Sequence, residues 1–464
     1  MKVLEKMRIN GADLQNAFKV QPVKMTGSHK KSQLPLEEIG FTGISTDSRS
    51  IKEGDLFFAL KGERFNGRDF IGQAVANGAA GIVVSEDVAV EGVIVFKVQD
   101  TLGALGNLAA FYRRKFNIKS IAVTGSNGKT TTKEMLAACL QTEYSTLKTS
   151  GNFNNLIGLP LTLFNLDENY QVGVFELGMS VPGEMTTMAQ MCQPQVGVFT
   201  NIAPVHLETL GSVDAVAKAK YELVESLPLD GAVILNNDDS FLSGWTKKIS
   251  QKVITYGIEN RADFKVNSHT INTGSQSLFR INDTDYQINY PGIHNIYNAA
   301  AAIAAACYLG CNPQKLVKPL SELKVYHLRS EVFQYAGVIF IDDCYNANPV
   351  SMEYAIDVLA DYPSKGRKVA VLGDMLELGD DREEFHKEIG FYLNLKNIDA
   401  LFAYGGLSES YLTKFKGDEK EHFNNKNELI RRLRQYLNEG DVVLVKGSRG
   451  VAMEEITMAF KGKN

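Results

Sequence analysis

The chain has 464 residues, of which 44% are hydrophobic and 22% charged, with a net charge of −5. This is the make-up of a globular protein of roughly three domains. The acidic balance speaks against a nucleic-acid binder, and the densest basic runs, Arg113-Arg114-Lys115 and Arg431-Arg432, read as short solvated helix faces. No run approaches the roughly 18 apolar residues of a membrane span, and the N-terminus has no apolar signal region. The cysteines, Cys139, Cys192, Cys307, Cys311 and Cys344, are odd in number and lack metal-finger spacing, which predicts a cytoplasmic protein. Cys307 and Cys311, four apart on a predicted helix, read as core packing.

In chain order, a first unit, 1–115, is read with strands at Asp55-Leu-Phe-Phe-Ala-Leu60 and Gly81-Ile-Val-Val-Ser85 and a helix from Phe70 ending at Gly78. A second, 116–324, starts on the strand Ser120-Ile-Ala-Val-Thr124. It continues with a helix from Thr132 to Gln141, strands Val172 to Glu176 and Val196 to Thr200, a helix from Val213 to Leu227 and a strand from Gly231 to Asn236. A strand-rich insert at about 251 to 290 and an alanine-rich helix at 295 to 309 follow. A third unit, 325–464, carries strands at Val338 to Asp342, Lys368 to Leu372, Ala400 to Ala403 and Val442 to Val445, with helices between. Such alternation predicts an α/β protein with a central, mostly parallel, P-loop ATPase-like sheet and a doubly wound, Rossmann-like C-terminal unit.

The strand ending at Thr124 runs into Gly125-Ser126-Asn127-Gly128-Lys129-Thr130-Thr131 and then a helix. Strand, glycine turn, Lys-Thr and helix together make a phosphate cradle, because backbone N–H groups and the helix start face the anion. Lys129 can reach the β- and γ-phosphates, and the Thr130 hydroxyl can bind Mg²⁺. The spacing departs from the usual eight-residue form: Val123 stands at the first glycine position, and the glycine is Gly125 instead. A glycine turn without a ligand is the plainer alternative.

Glu176 ends one strand and His206 follows another, so both fall at the carboxyl edge where open parallel sheets bind ligands. Glu176 could hold Mg²⁺ beside Thr130; alone, it would be a solvated strand-end charge, and His206 alone an ordinary loop residue. Lys220 is more specific. Its helical neighbours Val216, Ala217, Leu223, Val224 and Leu227 are all apolar, whereas Lys218 has Asp214, Tyr221 and Glu222. Lys220 therefore lies on the buried stripe, where an ammonium is disfavoured. A neutral amine there can take up CO₂ as a carbamate, an anionic metal ligand. Equally, the stem can run over apolar surface with its head in water.

These residues resemble the Mur ligases over nearly the whole chain. The compressed loop Thr124 to Thr130 looks like that family's phosphate loop, and Gly151-Asn152-Phe-Asn154-Asn155-Leu-Ile-Gly158 like its substrate-facing asparagine motif. Glu176-Leu-Gly-Met-Ser180 with Pro182-Gly-Glu184, Asn201-Ile-Ala-Pro-Val-His206 and Ala217-Lys-Ala-Lys220 resemble its metal glutamate, histidine loop and carbamylated-lysine helix. Gly292-Ile-His-Asn295-Ile-Tyr-Asn298 resembles its adenine-contacting motif, which with Arg329 and Asp343 completes the expected ATP contacts. In the third unit, Asp342-Asp343-Cys-Tyr345-Asn346-Ala-Asn348-Pro349, Leu372-Gly-Asp-Met-Leu-Glu-Leu-Gly379 and Val445-Lys446-Gly-Ser448-Arg449-Gly450 look like the branch that adds D-alanyl-D-alanine. In the first, Ser45, Thr46, Asp47, Ser48 and Arg49, with Gly54 to Leu60 and Phe65 to Phe70, resemble the UDP-substrate domain. Three departures stand out: Leu328 where glycine is frequent before the arginine, Cys344 for serine, and Asn236-Asn-Asp-Asp-Ser240.

The resemblance implies an ADP-forming ligase of peptidoglycan precursor synthesis, acting as a monomer. ATP and Mg²⁺ would activate the carboxylate of UDP-N-acetylmuramoyl-tripeptide for attack by D-alanyl-D-alanine. Thr130 and Glu176 would place one metal, His206 and carbamylated Lys220 a second. The asparagines Asn152, Asn154 and Asn155, with Tyr345, Asn346, Asn348, Lys446, Ser448 and Arg449, would face the substrates. Alternatives are another ligase of this superfamily, adding an amino acid or glutamate, or a P-loop nucleotide switch.

Overall fold

A computed structural model describes residues 9–19, 35–62, 65–272, 276–324 and 328–461. The predicted start of the third unit, at 325, lies outside the described residues. The strands form a short pair and three larger sheets. Ile9–Asn10 pairs antiparallel with Gly40–Phe41. Ile44–Ser45, Leu56–Phe58, Gly81–Val84 and Ile94–Lys97 then form a four-stranded sheet, parallel throughout. Leu56, Phe57 and Phe58 are all buried, as expected where both faces of a parallel sheet are covered.

The central sheet has nine strands. Its order runs Thr284–Ile288, Gln276–Ile281, Phe264–Asn272, Lys252–Gly257, Ala232–Asn236, Val196–Phe199, Lys119–Thr124, Val172–Glu176, Thr146–Lys148. The strand-rich insert becomes its edge: Phe264–Asn272 joins in parallel, and two antiparallel strands follow. The chain leaves Lys119–Thr124 towards one edge and later returns on its other side, so the strand order reverses there. Open α/β sheets bind ligands beyond the carboxyl ends of the strands at such a point. The alanine-rich helix, Ile293–Tyr308, packs on this sheet and on the helix Lys129–Leu140; its small side chains permit the close approach.

The third sheet orders Glu331–Tyr335, Val338–Asp342, Val442–Lys446, Lys368–Gly373, Ala400–Tyr404 and Glu419–Phe423. Only its first pair is antiparallel. The strands at 331 and 419 were not read from sequence, because as short edges rich in Glu, Gln, Lys and His they show neither an apolar run nor a clean alternation.

Two sequence readings need correction. The helix expected from Thr132 begins at Lys129, because Gly128, at φ 80°, caps it in the left-handed conformation and so turns the chain a residue after the loop. The alanine-rich helix ends at Tyr308, and Gly310 (φ 98°) carries the chain off its axis. Cys311 is therefore buried beyond the helix and not on it. Among the described residues, no helix is long and apolar enough to cross a membrane.

Candidate functional site

A cleft of about 520 Å³ opens at the carboxyl edge of the central sheet, facing the third sheet. Its floor is the glycine loop. Gly125 has φ +147°, and a Cβ there would fall 1.8 Å from the Thr200 hydroxyl; at Gly128, one would fall 2.2 Å from Oδ1 of Asn298. Both glycines are required by close approach as well as by backbone angle. Asn201, on the neighbouring strand's end, holds the loop: its O accepts from Ser126 N and its Oδ1 from Asn127 N, each at 2.9 Å. With these two amides occupied, the N–H groups offered to an anion are those of the helix start from Gly128 onward, which have no intrahelical acceptors. Thr130 and Thr131 thus sit in the first turn, on the phosphate-facing end.

Lys129 folds back over the loop, donating to the carbonyls of Gly125 (2.9 Å) and Ser126 (3.1 Å). Beneath it, Lys220 is 1% exposed and donates to the same Gly125 carbonyl at 3.1 Å. Burial, reinforced by the charge of Lys129, pushes the Lys220 pKa well below the usual lysine range. Lys218 is exposed on the opposite face, so the stripe argument placed both lysines. Burial also lowers Lys129, against the pull of Glu176.

Glu176 is 1% exposed at the end of its strand. Its Oε1 accepts from the Thr130 hydroxyl at 3.0 Å and from Nδ2 of Asn154 at 2.8 Å. Its Oε2 is buried without a hydrogen bond and lies 3.6 Å from Nζ of Lys133, so it keeps lone pairs that suit a hard cation beside Thr130. Asn155 also lines the cleft, its Oδ1 accepting from Ile157 N and Gly158 N just before the helix Gly158–Leu163. Among the described residues, no three His, Cys, Asp or Glu side chains converge as a metal set. His206 lines the cleft but pairs through Nδ1 with Glu377 of the third unit at 2.5 Å, while Lys220 is held to Gly125. Both His206 (φ 54°) and Glu377 (φ 63°) are left-handed, and Leu207 N donates to Glu377 O at 2.8 Å.

The far wall comes from the third unit. The Arg329 guanidinium lies 4.0 Å over the Tyr345 ring and donates to the Thr130 hydroxyl at 2.9 Å. Its neighbours Leu328 (φ 61°) and Ser330 (φ 55°) are left-handed, which explains why glycine suits position 328 and shows that leucine there still delivers the arginine. Asp343 accepts from Ser330 N (3.0 Å) and from Lys446 Nζ (2.5 Å). Burial pushes its carboxyl up, but Lys446, together with His294 and Arg329, more than offsets this and holds it low. Asn127 and Asn348 exchange amide hydrogen bonds across the cleft at 2.7 and 3.3 Å. Asn346 accepts from Lys446 Nζ (2.9 Å) through its carbonyl and from Arg449 N (3.3 Å) through its side chain. The Ser448 hydroxyl accepts from Leu376 N at 2.9 Å.

At one end, Asn298 accepts from the Thr132 hydroxyl (3.2 Å) and donates to Asn295 (3.2 Å), whose amide is anchored on Pro291 O. Beside them the His294 ring stacks on Tyr354 at 5.1 Å. Its Nδ1 is buried without a partner, and burial pushes its pKa down to about 4. His294, Tyr354, Asn201, Glu377 and the fully buried Lys133 were not singled out from sequence.

The structure does not bring every expected residue to this cleft. Asn152 is exposed outside it. Ser45 to Arg49 sit on the N-terminal sheet, where Arg49 embraces Asp47 at 2.8–3.2 Å and pulls its carboxyl down to about 2. The Ser45 and Ser48 hydroxyls are spent on Asp47 O and Gln73.

A phosphate-loop sheet facing a second doubly wound unit across a polar cleft defines a nucleotide-dependent enzyme of two or more lobes. Family comparison then specifies it. Residues 123–306 match the Mur ligase middle domain, 328–449 the Mur ligase glutamate ligase domain, and 40–141 the Mur ligase family catalytic domain. The UDP-N-acetylmuramoyl-tripeptide–D-alanyl-D-alanine ligase of Bacillus subtilis is 40% identical over 428 residues, covering 90% of this chain and 93% of its own. That of Escherichia coli is 38% identical, covering 91% and 94%. A crystal structure of MurF from Acinetobacter baumannii superposes with a TM-score of 0.89 at 32% identity, covering 98% and 99%. MurF ligase from Thermotoga maritima in complex with ADP gives 0.81 at 29%, covering 90% and 96%. The chain belongs to the Mur ligase family.

Proposed function

We propose that this chain is an ATP-dependent, ADP-forming ligase that joins D-alanyl-D-alanine to UDP-N-acetylmuramoyl-tripeptide in peptidoglycan precursor synthesis. Its likeness over nine-tenths of its length to relatives of that name carries the choice of peptides. The cleft supplies the chemistry. A tripeptide carboxylate oxygen attacks the γ-phosphorus, ADP leaves, and an acyl phosphate forms. The amine of D-alanyl-D-alanine adds to the acyl carbon; the tetrahedral intermediate then expels phosphate, and the amine loses its proton.

Phosphoryl transfer depends on positioning and charge neutralisation. Lys129, now resting on two loop carbonyls, swings a short distance to the β- and γ-phosphates. The helix start from Gly128 to Thr131 receives the phosphate oxygens, and Arg329 approaches from the far wall. Asn295 and Asn298 face the base, with Asp343 near the ribose side. Thr130 and Glu176 would hold Mg²⁺, which supplies charge neutralisation between phosphates and carboxylate. His206, once released from Glu377, and Lys220 as its carbamate would hold a second such cation. There the neutral Lys220 amine adds to the carbon of CO₂ and loses a proton, leaving an anionic carbamate. Desolvation together with the adjacent Lys129 charge supports that reaction.

The domains are taken as 1–115 for the UDP end, with Ser45 to Arg49 as its contacts, 116–324 for ATP and 325–464 for the incoming dipeptide. Tyr345, Asn346, Asn348, Lys446, Ser448 and Arg449 line the wall on which the dipeptide would lie. Both walls of the cleft come from one chain, so a monomer suffices, and the five unpaired cysteines suit the cytoplasm.

The test is a phosphate-release assay with ATP and UDP-muramoyl-tripeptide, with D-alanyl-D-alanine, meso-diaminopimelate, lysine or glutamate added singly. Sustained release should need the tripeptide and D-alanyl-D-alanine together. Release without any acceptor, or a preference for a single amino acid, would overturn the assignment. For the carbamate, Lys220→Ala should be inactive and partly rescued by formate or acetate. Full activity of that variant at low CO₂ would remove the carbamate from the mechanism.

A further inference from the structure

None of these steps uses Lys133. Its side chain is wholly buried within the helix that starts at the phosphate loop. Its Nζ donates to Gly151 O at 3.0 Å and lies 3.1 Å from Oε1 of Glu134 and 3.6 Å from Oε2 of Glu176. Glu134 is paired on its other side with the half-exposed Lys148. A buried ammonium is costly unless its surroundings compensate it, and here the compensation ties three separate segments together.

The connections close a ring. Glu176 Oε1 accepts from Asn154. Three residues earlier in the same loop, the Gly151 carbonyl is held by Lys133, which faces the other oxygen of that carboxylate. The asparagine loop is thereby fastened at two points to the residue beside Thr130 that ends the strand Val172–Glu176. Neither fastening is local in sequence, and the one through Lys133 runs from the helix that begins at the phosphate loop.

We propose that Lys133 is a positioning residue that couples the asparagine loop, 151–155, to the Glu176 carboxylate, so that the grip on the UDP-linked tripeptide is set by the phosphate site. This rests on the reading that Asn154 faces that substrate. Lys133 itself is fully buried and does not line the cleft. With it removed, the loop loses its Gly151 tether and is held to this edge through Asn154, whose O accepts from Gly178 N at 2.8 Å, while Glu176 keeps its hydrogen bonds from Thr130 and Asn154.

The experiment is a double-mutant cycle of Lys133→Met and Asn154→Ala in the full-length enzyme, reading KM for the tripeptide substrate, KM for ATP and kcat. Because K133M alone leaves two buried carboxylates without their shared cation, K133M/E134Q replaces it if the single variant does not fold. Each single change should raise the tripeptide KM by about tenfold, as loss of one buried charged hydrogen bond does. The ATP KM should stay within about twofold, and the combination should be no worse than either change alone, since both act on one loop. Fully additive effects, or an ATP KM that rises in step with the tripeptide KM, would overturn the coupling while leaving the loop's role intact. A normal tripeptide KM in Asn154→Ala would instead overturn the reading of the loop, and the proposal with it.

Discussion

The floor of the cleft and its far wall both present polar side chains, but they are assembled differently. The floor comes from one continuous run, Lys119–Thr124, the glycine loop and Lys129–Leu140, braced by Thr200 and Asn201 of the adjacent strand. Its conformation is set by backbone: two glycines that tolerate no side chain, and a helix start. The wall is gathered from strand ends and loops between 329 and 449. It meets the floor through a few polar contacts: Arg329 to Thr130, Asn348 to Asn127, and Glu377 to His206. The last is a partly exposed pair, 27% and 59%, of a kind that contributes about 0–1 kcal/mol. A rigid floor thus faces a wall seated by contacts weak enough to open and close around a ligand.

The sharpest test of the floor is Lys129→Ala. Among the described residues, the hydrogen bonds of the half-buried Lys129 go to loop carbonyls and its charge is disfavoured there by burial, so its loss should leave the melting temperature unchanged or slightly raised. Turnover should fall on the order of 10³-fold or more, the scale of a lost phosphate-directed cation. A folded variant that keeps its ligase rate would show that the floor is not where phosphate is transferred.

Arg329→Ala tests the wall. Its guanidinium is a cation of the wall that reaches Thr130, so its removal should raise the ATP KM by about tenfold or more, as for a charged hydrogen bond. It should also weaken any ATP-driven compaction seen by small-angle scattering. If wild-type scattering does not change with ATP and tripeptide substrate, the contrast between fixed floor and mobile wall fails.

What the sequence showed follows the same division. The strand–loop–helix, the buried stripe that placed Lys220, and Glu176 at a strand end are local patterns, and each lies where the pattern put it. The wall was reached through resemblance, because no local spacing relates Arg329, Asp343, Asn348 and Lys446. His206 was read by its position at the sheet edge; its partner Glu377, 171 residues away, has no local signature. Lys133 was legible and missed. Its helical neighbours Leu136, Ala137 and Leu140 are buried, so the stripe argument applied to Lys220 would have marked it too. The polar edge strands were invisible because a short polar stretch with neither alternation nor an apolar run does not distinguish a strand from a loop.

A smaller effect separates the wall's geometry from its chemistry. Asn348 caps the helix Pro349–Asp361 and also bonds to Asn127. Serine caps as well as asparagine but is too short to reach across. Asn348→Ser should therefore keep its stability and lose about 0.5–1.5 kcal/mol of closure, a rise of about 2- to 12-fold in ATP KM. A loss of thermal stability without a change in KM would mean that this asparagine is a cap and no more.

The smallest expected effect lies where floor and wall meet, at His294. Its half-buried ring packs on Tyr354 of the wall helix with Nδ1 out of contact with water, and its folded pKa of about 4 lies below the ordinary value of 6.5. Between those values the unfolded chain binds a proton that the native state refuses, so stability rises with pH across that window and is flat above it. The groups nearest its charge are Asp343 and Asp357, which favour the proton, and Lys446, which opposes it; burial outweighs them all. His294→Gln removes this titration. The wild-type melting temperature should therefore fall more than the variant's between pH 7 and pH 4.5, while the two curves run parallel above pH 7. Parallel curves throughout would mean that the ring is open to water and that wall and floor stand apart in the free protein.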